Sequence, residues 1–205
     1  MSKISVCILD YGSGNVKSVY NLASTLCDQV IISNQNETIK KATHLILPGV
    51  GAFGSSMEKI LKNIPLDILH QEVFEQEKPF LGICVGMQVL ATKGFEFGEY
   101  KGLNWIHGEV QKVQVKEKSL PHIGWNNLEI KQKSPLLTDI DDQHDFYFVH
   151  SFTFRSEDEN NNIAFSHYED KISAVINYRN IYGVQFHPEK SQISGKLLMR
   201  NFLNL

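Results

Sequence analysis

The chain has 205 residues, 42% hydrophobic and 21% charged, with a formal net charge of −3. That length and apolar content suit a single domain over residues 1–205 with a real core, and the charge gives no electrostatic basis for binding nucleic acid or an acidic membrane surface. No stretch approaches the ~20 apolar residues that span a bilayer, and the short apolar start ends at Asp10, so it reads as a first strand rather than a signal peptide and the expected location is cytoplasmic.

Taken in chain order, Ile4 to Leu9 predicts a strand. Residues 15–26 carry Val16, Val19, Leu22, Ala23 and Leu26 at helical spacing. Short strands follow at Val30 to Ile32 and at His44 to Leu47, the latter ending at Pro48. Residues 54–77 predict one or two helices broken near Pro65, then a strand over Phe80 to Ile83 and a helix over Val85 to Ala91. Strands alternating with helices predict a mostly parallel α/β sheet flanked by helices.

The second half changes character. Residues 105–115, 126–130, 146–149, 163–167, 174–178 and 182–186 predict strands with few helices between them, a mixed or antiparallel extension of the same sheet. An amphipathic helix over Ser191 to Leu203 closes the chain. The three cysteines, Cys7, Cys27 and Cys84, are odd in number and form no CxxC pair, which argues against a disulfide framework or a zinc site. Neither a metal nor an organic cofactor is expected.

Cys84 stands apart from the other two. Gly82-Ile-Cys-Val-Gly86 follows a strand and opens a helix, the pattern of a nucleophile elbow with sulfur in place of a serine oxygen. A nucleophile on so sharp a turn leaves no room for a Cβ two residues before or after it. The following helix aims unpaired N–H groups at the sulfur, which favours a thiolate, and the Val85 N–H is placed to stabilise an oxyanion. Alone, the pattern also suits a buried cysteine in a glycine-rich turn. A phosphate loop fits less well, because no GxGxxG or P-loop lysine accompanies it.

A thiol nucleophile needs a base. Residues 183–191 end a strand in His187-Pro-Glu189. Histidine titrates near neutrality, a carboxylate fixes its tautomer, and proline stiffens the turn that carries both. His122 and His150 read singly as structural or pocket-lining. A third glycine-rich turn, Pro48-Gly-Val-Gly51, ends another strand and can bring backbone close to a ligand.

In this order, these segments resemble the class I (triad-type) glutamine amidotransferases, and among them the glutaminase subunits of imidazole glycerol phosphate synthase. The resemblance is carried by Asp10-Tyr-Gly-Ser-Gly-Asn15, Leu47-Pro-Gly-Val-Gly-Ala-Phe-Gly54, Gly82-Ile-Cys-Val-Gly-Met-Gln88, Pro121-His-Ile-Gly-Trp-Asn126, Tyr147-Phe-Val-His-Ser151 and Phe186-His-Pro-Glu-Lys-Ser-Gln192. It implies the fold of that family, a flavodoxin-like one, and hydrolysis of L-glutamine to glutamate and ammonia. The partner it implies is a (β/α)8 barrel cyclase, bound as a heterodimer, that receives the ammonia in histidine biosynthesis.

Roles then follow by matched position. Cys84, His187 and Glu189 form the triad. Val85, with Val50 and Gly51, holds the oxyanion. Gly49, Gln88, Glu96, Ser151 and Phe152 contact glutamine, while Asn15 and Lys190 face the partner. Residues 91–98 lack the acidic run and extra length common in the family. Related pairs serve other acceptors, including sugar nucleotides, so a paralogous ammonia donor stays open. So does a non-catalytic scaffold, although an intact triad argues against it.

Overall fold

A computed structural model describes residues 3–12 and 15–205; Ser13 and Gly14 of the first motif lie outside the described residues. The first half alternates as expected: β1 (Val6–Leu9), α1 (Val16–Ser24), β2 (Val30–Ser33), α2 (Asn36–Lys41), β3 (His44–Gly49), α3 (Phe53–Asn63), α4 (Leu66–His70), β4 (Phe80–Cys84) and α5 (Val85–Gln88). The break at Pro65 separates α3 from α4, and a π-turn over Gln71–Glu75 continues from α4. The second half supplies β5 (Lys93–Gly94), β6 (Tyr100–Lys101), β7 (Gly108–Lys112), β8 (His122–Asn127), β9 (Glu129–Ile130), β10 (Asp145–His150), β11 (Phe152–Ser156), β12 (Asn162–Tyr168), β13 (Asp170–Tyr178), β14 (Ile181–Val184) and the closing helix α6 (Gln192–Leu203).

An eight-stranded sheet runs β2-β1-β3-β4-β14-β13-β12-β9. Its first five strands pair parallel and its last three antiparallel. Every residue of β1, β3, β4 and β14 is buried, as expected of strands covered on both faces by helices or loops. The C-terminal edge of this sheet gathers the motifs. In register, Gly49 of β3 faces Cys84 of β4, and Ile83 of β4 faces Val184 of β14. Three segments separated by tens of residues thus reach one sheet edge side by side, where α/β sheets bind their ligands.

The extension differs from expectation in one respect. Only β13, β12 and β9 continue the main sheet. The segments expected at residues 105–115, 126–130 and 146–149 instead contribute largely to two smaller sheets, β11-β7-β5-β6 and the hairpin β8-β10. The physical reason is visible in their burial. Along β10 exposed or half-exposed residues alternate with buried ones, the mark of a ribbon with one face inward, whereas the main strands need cover on both. The helix expected over Val85 to Ala91 is also shorter: α5 is a single turn, continued only by turn hydrogen bonds from Leu90 and Ala91 back to Met87 and Gln88.

Candidate active site

Cys84 occupies φ 54°, ψ −111°, a region L-residues rarely enter and one that costs on the order of 1–3 kcal/mol. The flanking glycines make the turn possible. A Cβ on Gly86 would lie 1.8 Å from the Leu47 carbonyl oxygen, and one on Gly82 would lie 2.4 Å from the Gly86 carbonyl oxygen. The strained turn lifts the sulfur from the end of β4 to the wall of a cavity of about 500 Å³. Cys7 and Cys27 lie elsewhere, and burial pushes the Cys7 thiol up to about 12.

His187 lines the same cavity. Its Nδ1 lies 2.7 Å from Glu189 Oε1, with both side chains almost wholly buried. Asn15 also donates its side-chain amide to Glu189 Oε1, so one carboxylate oxygen accepts from an imidazole and from the amide of the residue that precedes α1. Burial works against a charged His187, but the adjacent Cys84 and then the Glu189 carboxylate outweigh it, and the imidazole is pushed up to about 10. Nε2 itself is buried without a closed hydrogen bond. The thiol therefore acts on the ring by proximity and charge, a common arrangement in catalytic pairs before substrate arrives.

The remaining expected residues fall as follows. Val50, Gly51, Val85, Gln88, Glu96, Ser151 and Phe152 all line the cavity. Gly51 sits at φ 101°, which glycine tolerates without strain. Gly49 is buried beneath the wall, at the end of β3 against Cys84. Glu96 Oε2 accepts from the Phe53 N–H at 2.9 Å; burial raises its carboxyl, and that hydrogen bond opposes the rise. Gln88 is already engaged: its Nε2 donates to Phe152 O and to Gln185 Oε1, each at 3.0 Å. Lys190 is exposed, with its Nζ 5.6 Å from the centre of the Tyr147 ring.

Several wall residues were not anticipated as site residues: Pro121, Val149 and Phe97 line the cavity, and Gln185 lies 3.8 Å from Cys84 Sγ. His150, expected to be structural or pocket-lining, lines the cavity while its Nδ1 bonds Phe152 O at 2.9 Å and its Nε2 meets His122 Nδ1 at 3.0 Å. Burial lowers His122 to about 4, and burial above all lowers His150 to about 3, so both rings stay neutral. One sequence signal for Gln185 existed: a lone polar residue inside an apolar strand run, which when fully buried must find partners.

A family model described as "Glutamine amidotransferase class-I" matches residues 7–205. The chain belongs to the class-I glutamine amidotransferases. Within that family it stands with the HisH subunits of imidazole glycerol phosphate synthase. It is 42% identical over 199 residues to "Imidazole glycerol phosphate synthase subunit HisH 2" of Methanococcus maripaludis, covering 97% of this chain and 98% of that one. To the HisH subunit of Zymomonas mobilis it is 41% identical over 208 residues, covering 98% and 95%. Among solved structures, PurLQS from Thermotoga maritima superposes with a TM-score of 0.75 at 16% identity, covering 98% of each chain. A structure described only as glutamine amidotransferase superposes with a TM-score of 0.75 at 18% identity, covering 97% of each.

Proposed function

We propose that this chain is the glutaminase subunit of imidazole glycerol phosphate synthase, acting as one amidotransferase domain over residues 1–205 in the cytoplasm. The observation that carries the reading is the strained Cys84, sharing one cavity with a His187 ring bonded to Glu189. Cys84 Sγ attacks the side-chain carbonyl carbon of L-glutamine. The oxyanion is held by the Val85 N–H, which as first residue of α5 has no intrahelical acceptor, and by an N–H of the Gly49-Val50-Gly51 turn. His187, protonated at neutral pH, gives its proton to the departing nitrogen, and ammonia leaves. A glutamyl thioester remains on the sulfur. His187 then takes a proton from water, the water oxygen attacks the thioester carbonyl, and glutamate is released as the sulfur recovers its electron pair. Glu189 holds Nδ1–H throughout and fixes the tautomer.

Glu96, Gln88 and the Ser151–Phe152 backbone suit the amino-acid end of the substrate: a carboxylate for the α-amino group, and amide and backbone groups for the rest. The ammonia acceptor is a barrel cyclase docked over the cavity. In support, the outer face of the β8–β10 hairpin leaves Trp125 48% and Ile123 58% exposed. Trp125 pairs across the strands with Tyr147, and Ile123 with Val149. Lys190 stands beside Tyr147. An exposed apolar strip beside a catalytic cavity is a mark of a docking surface.

A second reading keeps the chemistry and changes the acceptor, since residues 91–98 lack the acidic run and extra length common in the family. A Cys84→Ala subunit mixed with the barrel cyclase decides both points. Expected is loss of glutamine-dependent synthesis with ammonia-dependent synthesis intact. Normal glutamine hydrolysis by Cys84→Ala would refute the nucleophile. Failure of the wild-type chain to bind or feed the cyclase would leave the paralogous acceptor.

A further inference from the structure

The proposed mechanism pairs the sulfur with His187, yet another group lies against it. Gln185 is fully buried one residue beyond β14, where its N–H donates to Ala174 O and so prolongs the pairing with β13. Its side chain sits between Gln88 and Cys84: Gln88 Nε2 lies 3.0 Å from Gln185 Oε1, and Gln185 Nε2 lies 3.8 Å from Cys84 Sγ.

Which end of a glutamine amide faces which partner is decided by its hydrogen-bond network. Here the network is anchored. The Phe152 backbone carbonyl can only accept, and it receives Gln88 Nε2 at 3.0 Å and His150 Nδ1 at 2.9 Å. Gln88 must therefore present its NH2 end, and its second N–H goes to Gln185. The Gln185 atom facing Gln88 is consequently the oxygen. The atom left facing the sulfur is the NH2 group. His150, with Nδ1–H committed to Phe152, offers a lone pair on Nε2 to the Nδ1–H of His122. Reversing Gln88 would set two acceptors against each other, and reversing Gln185 would set two donors against each other, in a buried space and at the full cost of an unsatisfied polar group.

We propose that Gln185 is a catalytic residue whose side-chain N–H donates to Cys84 Sγ, and that Gln88, the Phe152 carbonyl, His150 and His122 are the positioning chain that fixes its orientation. The bond favours sulfur carrying an electron pair over sulfur carrying a proton, and it holds the sulfur in place at the cavity wall. A donor already in place costs no reorganisation when the thioester is hydrolysed and the thiolate re-forms. The proposal rests on Cys84 being the nucleophile, and its test separates the two.

The test is the pH dependence of Cys84 alkylation by iodoacetamide in the full-length subunit, read by peptide mass spectrometry for wild type, Gln185→Glu and Gln185→Met. Gln185→Glu keeps an oxygen for Gln88 and turns a second oxygen toward the sulfur. Gln185→Met keeps the volume and removes the donor, and serves if the glutamate variant fails to fold. Expected is alkylation slowed about tenfold at neutral pH in the glutamate variant, with the profile moved to higher pH by about one unit, and a smaller move in the same direction for methionine. In the cyclase complex, kcat for glutamine should fall while KM changes little, since the lost contact is with the nucleophile. Unchanged alkylation profiles in folded variants would overturn the proposal and leave Gln185 as packing. A shifted profile in a chain whose wild type never hydrolyses glutamine would instead keep the Gln185 contact and remove the glutaminase reading.

Discussion

At the scale of single residues, the site divides by charge. Glu189 holds His187 Nδ1, and charge from Cys84 and Glu189 keeps the ring protonated. His44, His122 and His150 are buried and neutral, lowered to about 4, 4 and 3, chiefly by burial. These two sets act in opposite directions on stability. For the neutral three, the unfolded chain takes up protons as pH falls below about 6.5 and the fold does not, so their stabilisation is complete above that pH and is lost toward pH 4 and below. His187 is the reverse: its contribution is complete below about 6.5 and is lost as pH rises toward 10. Thermal unfolding across pH 4 to 10 should therefore show a maximum near neutrality, with acid losses of roughly 1–3 kcal/mol per buried imidazole. A Tm that climbs steadily to pH 10 would contradict the charge placed on His187. Replacing Glu189 with Gln keeps the shape and an acceptor oxygen but removes the charge that supports the imidazolium, and kcat/KM should drop by about 10²- to 10⁴-fold.

At the scale of elements, the elbow depends on backbone approach. Gly86 of α5 sits so close to β3 that an added methyl would meet Leu47 O at 1.8 Å. Gly86→Ala must push α5 away from the sheet, and a loss of about 3 kcal/mol or more in chemical unfolding is expected; wild-type stability in that variant would show the contact to be slack. The turn after β3 carries a different expectation. With Gly51 at φ 101° and glycine on either side of Val50, its peptides can reorient, and partner docking would shift that population toward a completed oxyanion hole. The isolated subunit should then hydrolyse glutamine far more slowly than the complex; comparable rates would rule the switch out.

The same elements show what a sequence makes readable. The parallel half was legible because its strands are continuous apolar runs between helical periods. The elbow and His187-Pro-Glu189 were legible because strain, base and carboxylate each leave a local residue pattern. By contrast, β11 begins two residues after β10 ends and pairs with β7, about 40 positions earlier, so no turn signal announces it. The Asn15 contact to Glu189 spans 174 positions, and the direction of the Gln88–Gln185 amides follows from a backbone carbonyl that only folding brings near. Such contacts have no spacing to detect.

At the scale of the whole molecule, the β8–β10 hairpin joins two surfaces. One face buries His122, Phe148 and His150, and His150 holds Phe152 in the cavity wall. The other exposes Ile123 and Trp125. If the cyclase docks there, Trp125→Ser should weaken the complex at least tenfold, measured by titration calorimetry, while leaving Cys84 alkylation in the free subunit unchanged. Undiminished binding would move the interface elsewhere.

The most direct test is covalent trapping. The subunit bound to the cyclase is incubated with a glutamine-derived electrophile, digested and read by mass spectrometry. Expected is one glutamyl-type adduct on Cys84, blocked by excess glutamine, with Cys7 and Cys27 unmodified. An unlabelled Cys84, or label shared indifferently among the three thiols, would contradict the claim that this cysteine is the nucleophile.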